Sequence, residues 1–160
     1  MNLDTINISI PAQELILIKN NKIVKTYAIS TAFKGAGEMK NSFQTPRGMH
    51  YIRAKIGARL DPYAVFKGRR FTGEILTQEM YISNPDRDWI LGRILWLSGL
   101  EKGVNRLGEV DTMQRYIYIH GTPDQEPMSI PKSHGCIRMR VQDIAELFNK
   151  IEVGCHVWIA

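Results

Sequence analysis

Over most of the chain the apolar residues alternate with polar ones or gather in short runs. Only near the C-terminus do they recur at helical spacing. Segments Glu14–Lys19 and Lys22–Ser30 are rich in Ile, Leu, Val and Tyr and flank Asn20-Asn21, whose tolerance of positive φ predicts a two-residue hairpin turn. Residues 31–46, with Gly35 and Gly37, read as a long loop, and Gly48–Ile56 as a further strand. Residues 57–73 are basic and Gly-containing, with Phe66 and Phe71 among polar neighbours, and read as a loop across a groove or over the surface. Residues 81–83 and 90–97 are short strand candidates, the second also compatible with a helical turn.

Residues 116–120, Tyr-Ile-Tyr-Ile-His, form the clearest strand pattern. A period of two places Tyr116, Tyr118 and His120 on one face and Ile117 and Ile119 on the other. Val141, Ile144, Leu147, Phe148 and Ile151 recur at spacings of three and four, predicting one amphipathic helix. Gly154 stands where that helix should stop, and residues 157–159 read as a last strand. With no repeat, low-complexity tract or linker, the pattern predicts a single mainly β domain over residues 1–160, with a packed C-terminal helix.

Composition changes this picture little. At 160 residues, 44% apolar and 23% charged, the chain has ordinary globular values. No run approaches the roughly 20 apolar residues of a membrane span. The net charge of +5 is scattered, with Arg69-Arg70 the only adjacent pair of Lys or Arg and no nucleic-acid motif beside it, so a solvated basic surface suited to an anionic substrate is expected, and no nucleic acid. The start, Met1-Asn2-Leu3-Asp4, lacks the basic and apolar regions of an export signal. Cytoplasmic location is therefore expected if this is the native terminus, and periplasmic if it has been trimmed. Cys136 and Cys155 are expected to be free thiols.

The chemistry concentrates in Ser133-His134-Gly135-Cys136-Ile137-Arg138. A cysteine attacks a carbonyl as thiolate and needs a neighbour to take its proton. In an extended chain His134 and Cys136 share a face, so His134 is a candidate base. Gly135 permits close approach of a carbonyl, and the amides of Gly135 and Cys136 are candidate oxyanion donors. Alone, this pair is equally a buried cysteine beside an unrelated histidine.

A second segment, His120-Gly121-Thr122, lies thirteen residues before Ser133. With the intervening loop of residues 123–132 and its prolines 123, 127 and 131, the two segments resemble the signature of the L,D-transpeptidase (YkuD-like) family. Weaker similarity extends to Thr45-Pro46-Arg47-Gly48, to residues 115–118 and to the C-terminal helix and strand. The resemblance implies a β-sandwich with a packed C-terminal helix, no cofactor, and murein stem peptides as partners. It implies Cys136 as nucleophile, His134 as base, Ser133 orienting His134, and His120 lining the pocket and either assisting proton traffic or holding the substrate. Gly135 and Cys136 would stabilise the oxyanion. Arg138 would support the site or meet a substrate carboxylate, and Gly121 and Thr122 would lie alongside substrate; Tyr118, on the strand face of His120, reads either as packing or as lining the substrate pocket. The implied reaction is cleavage of the diaminopimelate–D-alanine bond through a thioester. Water is expected as acceptor (an L,D-carboxypeptidase of muropeptide recycling), or an amine in transpeptidation.

Two readings of other classes compete. His120, His134 and Cys136 with Cys155 or His156 supply zinc-type ligands, but without a Cys-x-x-Cys or His-x-x-x-His clip. A non-catalytic wall-peptide binder would require loss of Cys136 or His134, and both are present. Cys155, His50 and His156 read as structural. Arg69, Arg70 and Phe71 read as a solvated loop or a substrate-facing lip.

Overall fold

The computed structural model describes residues 4–160. Met1–Leu3, on which the reading of the amino terminus partly rests, lie outside the described residues. Among the described residues ten strands occur in chain order: β1 (Thr5–Ser9), β2 (Glu14–Lys19), β3 (Lys22–Ser30), β4 (Gly48–Ile56), β5 (Ala64–Lys67), β6 (Arg70–Ile75), β7 (Ile90–Gly99), β8 (Tyr118–Thr122), β9 (Ile137–Arg140) and β10 (His156–Ile159). Helix α1 (Gln78–Ser83) precedes β7 and α2 (Val141–Lys150) follows β9. The strand order is β4-β10-β1-β2-β3-β9-β8-β7, and β7 pairs back onto β4, so the layers form one continuous sheet. The β5–β6 hairpin hangs from β7.

Among the described residues the largest of three apolar clusters fills the interior between the strands and the C-terminal helix. Alternate residues of eight strands, among them Ile6, Leu15, Ile29, Ile52, Leu95, Ile119, Ile137 and Val157, pack together with Ile144, Leu147, Phe148 and Ile151 from the helix and its end. The helix is built by the stripe the sequence predicts, and each large apolar side chain it buries is worth about 1.5–3 kcal/mol. Asn20 and Asn21 both take positive φ, 51° and 63°, as the β2–β3 hairpin requires. Cys136 and Cys155 are free thiols. Among the described residues no helix is long and apolar enough to cross a membrane.

Three local expectations are corrected and one alternative is decided. Residues 81–83 belong to helix α1, because Thr77 caps it by accepting from the Met80 N–H (3.2 Å) and Gln78 and Glu79 suit its first turn. Residues 57–73 contain β5 and most of β6. Their Ala64-Val65-Phe66 run is buried on both faces and so lacks the alternation of a half-buried strand. The strand read at 116–120 starts only at Tyr118, because Tyr116 has φ 56° and is exposed. Residues 90–97 are strand throughout, within β7.

Candidate active site

The two chemical segments meet because β8 and β9 lie side by side in parallel, with Ile119 opposite Ile137 and His120 opposite Arg138. Parallel neighbours need a crossover of a dozen or more residues, and residues 123–136 supply it. Ile119, Ile137 and Met139 face the core. Tyr118, His120, Cys136 and Arg138 therefore project from the opposite face.

Cys136 sits immediately before β9 and is partly buried. Its sulfur accepts from the Tyr118 N–H at 3.3 Å, and its thiol faces the Tyr116 carbonyl at 3.5 Å. Burial pushes the thiol up to about 12, against the Tyr118 N–H, Arg138 and Arg115, which favour the thiolate. The resting sulfur is thus protonated.

His120 is buried in β8. Its Nδ1 lies 2.7 Å from the Gly121 carbonyl oxygen, an acceptor only, so Nδ1 carries the proton and donates it there. Its Nε2 keeps a lone pair and has no hydrogen-bond partner among the described residues. Burial lowers its pKa below the ordinary histidine value, with Asp88 and the Gly121 bond opposing, which keeps the ring neutral.

His134 is placed differently from the expectation. Gly135 has φ 135°, so residues 134–136 turn rather than extend, and the shared-face argument for His134 and Cys136 fails. The His134 ring is exposed and stands edge-on to Phe43 at 6.1 Å. Among the described residues no hydrogen bond joins it to Cys136. Ser133 does not orient His134 either. Its hydroxyl accepts from the Gly135 N–H (3.1 Å) and donates to the Cys136 carbonyl, closing the turn. That occupies the Gly135 amide expected to serve as an oxyanion donor, and leaves the Cys136 amide as the remaining member of the expected pair.

Gly121 and Thr122, expected beside substrate, are buried strand residues. A Cβ on Gly121 would come within 2.5 Å of the Leu91 carbonyl oxygen, so this glycine lets β7 and β8 approach closely. Tyr118 is likewise buried, against Phe66 and Ile94, with its hydroxyl accepting from Arg69 Nη1 at 2.9 Å. Arg138 is mostly buried and pairs with Asp88 at 3.4 Å.

Three supporting residues escaped the sequence reading. The Thr45 hydroxyl donates to the Gly135 carbonyl (2.9 Å) and accepts from the Ala32 N–H (3.0 Å), pinning the turn to the loop of residues 31–46. Arg115 holds the same loop by donating to the carbonyls of Gly37, Glu38 and Gln44 and to the Ser42 hydroxyl. Asp88 follows α1 and partners Arg138. Thr45 and Arg115 carried a signal, in the weak similarity around Thr45-Pro46-Arg47-Gly48 and residues 115–118. Asp88 acts through a contact that no local pattern records.

Two clefts flank His134. One of about 520 Å³ is lined by Lys40, Phe43, Glu109, Arg115 and Tyr116, and the other, of about 450 Å³, by Phe33, Lys34, Phe43, Lys132 and Ser133. Among the described residues no three His, Cys, Asp or Glu side chains are grouped to hold a metal ion. Cys155, invoked by the zinc reading, donates to the Asp4 carbonyl at 3.4 Å.

Comparison with known proteins agrees with this architecture. An L,D-transpeptidase from Mycobacterium smegmatis superposes with a TM-score of 0.56 at 17% identity, covering 99% of this chain and 59% of that one. LdtMt1 in complex with imipenem gives 0.59 at 18%, covering 99% and 59%. L,D-transpeptidase 3 from Mycobacterium tuberculosis, with a faropenem-derived adduct, gives 0.60 at 14%, covering 99% and 60%. The chain thus spans about three-fifths of the length of these structures. No curated protein sequence matches it. The sequence pattern of the L,D-transpeptidase catalytic domain matches residues 4–159, so this chain belongs to the L,D-transpeptidase catalytic domain (YkuD) family.

Proposed function

We propose that this chain is a cysteine acyl-transfer enzyme acting on peptidoglycan stem peptides, with Cys136 as nucleophile and His120, rather than His134, as the base. The observation that carries the reading is the Nδ1–H of His120 committed to the Gly121 carbonyl, on the strand face that also bears Cys136. A neutral imidazole with one nitrogen already a donor can only accept at the other.

In the first step the Cys136 sulfur attacks the carbonyl of the L-centre of diaminopimelate as its proton passes to Nε2 of His120. The C–N bond breaks, the D-alanine nitrogen takes that proton, and a thioester remains. The Cys136 amide helps hold the oxyanion, and Ser133 and Thr45 keep the turn in shape. In the second step an acceptor breaks the C–S bond. Water gives a tripeptide, and an amine gives a cross-link. We favour water, because Lys34 and Lys132 on the cleft beside His134 suit a carboxylate better than an incoming ammonium group.

Mass spectrometry of products from a defined tetrapeptide tests both levels, with Cys136→Ala as control. Free D-alanine and tripeptide are expected. Cross-linked dimer without tripeptide would transfer the assignment to transpeptidation, and no Cys136-dependent product would refute acyl transfer. Because LdtMt1 is found with imipenem and L,D-transpeptidase 3 with a faropenem-derived adduct, incubation with either drug should add its mass to the intact protein and not to Cys136→Ala.

A further inference from the structure

Arg69 lies between the two strands of the β5–β6 hairpin, which reaches β7 through two residue pairs, Val65 with Leu91 and Phe66 with Ile90. Its guanidinium is not solvated freely. The central carbon lies 4.2 Å from the Trp96 ring centre and 5.1 Å from that of Tyr116, and Nη1 donates to the Tyr118 hydroxyl at 2.9 Å. Tyr116 and Tyr118 are the two residues whose backbone groups touch the Cys136 sulfur. The cation is thus held against the side chains of the nucleophile's own neighbours.

It is also uncompensated. Arg47, Arg87 and Arg138 face Glu38, Glu74 and Asp88, and Arg93 and Arg115 donate to carbonyl oxygens. No carboxylate among the described residues lies within 4.0 Å of the Arg69 nitrogens. Aromatic faces orient a guanidinium without using its N–H groups, and only one of the five is committed here. The remaining edge suits the two oxygens of a carboxylate, in a partly desolvated place where such a pair is stronger than in water.

We propose that Arg69 recognises a carboxylate of the acyl-donor peptide beside Cys136 and so sets the site's preference for an anionic donor. The inference rests on the stem-peptide reading above. Such a donor carries two carboxylates near the scissile bond, one on the terminal D-alanine and one on the far centre of diaminopimelate, and the chemistry that Arg69 offers is the same for both.

Initial rates on three tetrapeptides decide the matter: the free acid, the form amidated at D-alanine, and the form amidated at the diaminopimelate carboxylate. Wild type should show a KM roughly 10- to 100-fold higher for one amide than for the acid, the effect of losing one charge-assisted pair. That amide identifies the carboxylate. Arg69→Gln should raise KM for the acid by a similar factor, change kcat much less, and no longer distinguish acid from that amide. Arg69→Lys should recover part of the discrimination, and it replaces the glutamine variant if thermal unfolding shows the latter misfolded. A hairpin strap without recognition would raise KM equally on all three donors, and this result, or a wild type indifferent to amidation, overturns the proposal. A wild type that turns over none of the three overturns the stem-peptide reading instead, and the role of Arg69 falls with it.

Discussion

His120 donates from Nδ1 to the carbonyl oxygen of its own successor, Gly121, across 2.7 Å. A histidine tied to the adjacent peptide needs no remote partner to hold its tautomer. The strand that carries it also places it on the sheet face that bears Cys136, the proposed nucleophile. On the proposed reading, the two motif histidines therefore differ in role.

Replacing His120 by Gln should lower kcat by about 10²- to 10⁴-fold, the usual worth of a positioned base. His134→Gln should cost less than about tenfold, as befits an exposed ring without a bond to the sulfur. Steady-state kinetics on the same peptide compares them, and a larger loss from His134 would restore it as the base.

The resting thiol, with burial holding it up to about 12, should be slow toward iodoacetamide at neutral pH. Its alkylation rate should climb about tenfold per pH unit between roughly pH 7 and 10, as the thiolate fraction grows. A plateau starting near pH 6 to 7 would reveal a preformed thiolate–imidazolium pair.

Thr45→Val keeps the shape of the side chain and removes the hydroxyl that bridges Gly135 and Ala32. Each buried group left unpaired costs about 1–3 kcal/mol, and the turn bearing Cys136 loosens. Denaturant unfolding should register the loss and turnover should fall with it, whereas Thr45→Ser should retain both.

His50 is fully buried between the Gly48 carbonyl and the Thr112 hydroxyl. Burial lowers its pKa from 6.5 to about 4. The unfolded chain therefore binds the proton more tightly. Stability is complete above about pH 6.5 and declines as pH falls from there through 4, by about 3 kcal/mol at the acid end. His120 titrates in the same direction, so the contribution of His50 is the difference between wild type and His50→Gln. The melting temperature of that variant should fall less steeply with acidification over this range, and identical slopes would disprove the assignment.

The mainly β character, the Asn20-Asn21 turn and helix α2 were legible because their causes are local. Alternation, positive-φ tolerance and a 3.6-residue stripe each act within a few residues. The buried run of β5 and the capped turn of α1 were misread because each breaks the period expected of it, one through burial on both faces and the other through brevity. Strands β1 and β9 are short pieces that become strands by pairing with β10 and β8.

The site divides in the same way. Cys136, His134 and His120 stand out in the chain because thiol, imidazole and glycine recur at a spacing that chemistry uses. Where each histidine stands relative to the sulfur was left to the tertiary structure. Sequence proximity favoured His134, two residues away, yet one glycine at positive φ turns that side chain aside. The parallel ladder brings in His120 from sixteen residues upstream. Hydrogen bonds and strand register act through space, so Thr45, Asp88, Arg115 and the stacked guanidinium of Arg69 acquire their roles only once the sheet has closed.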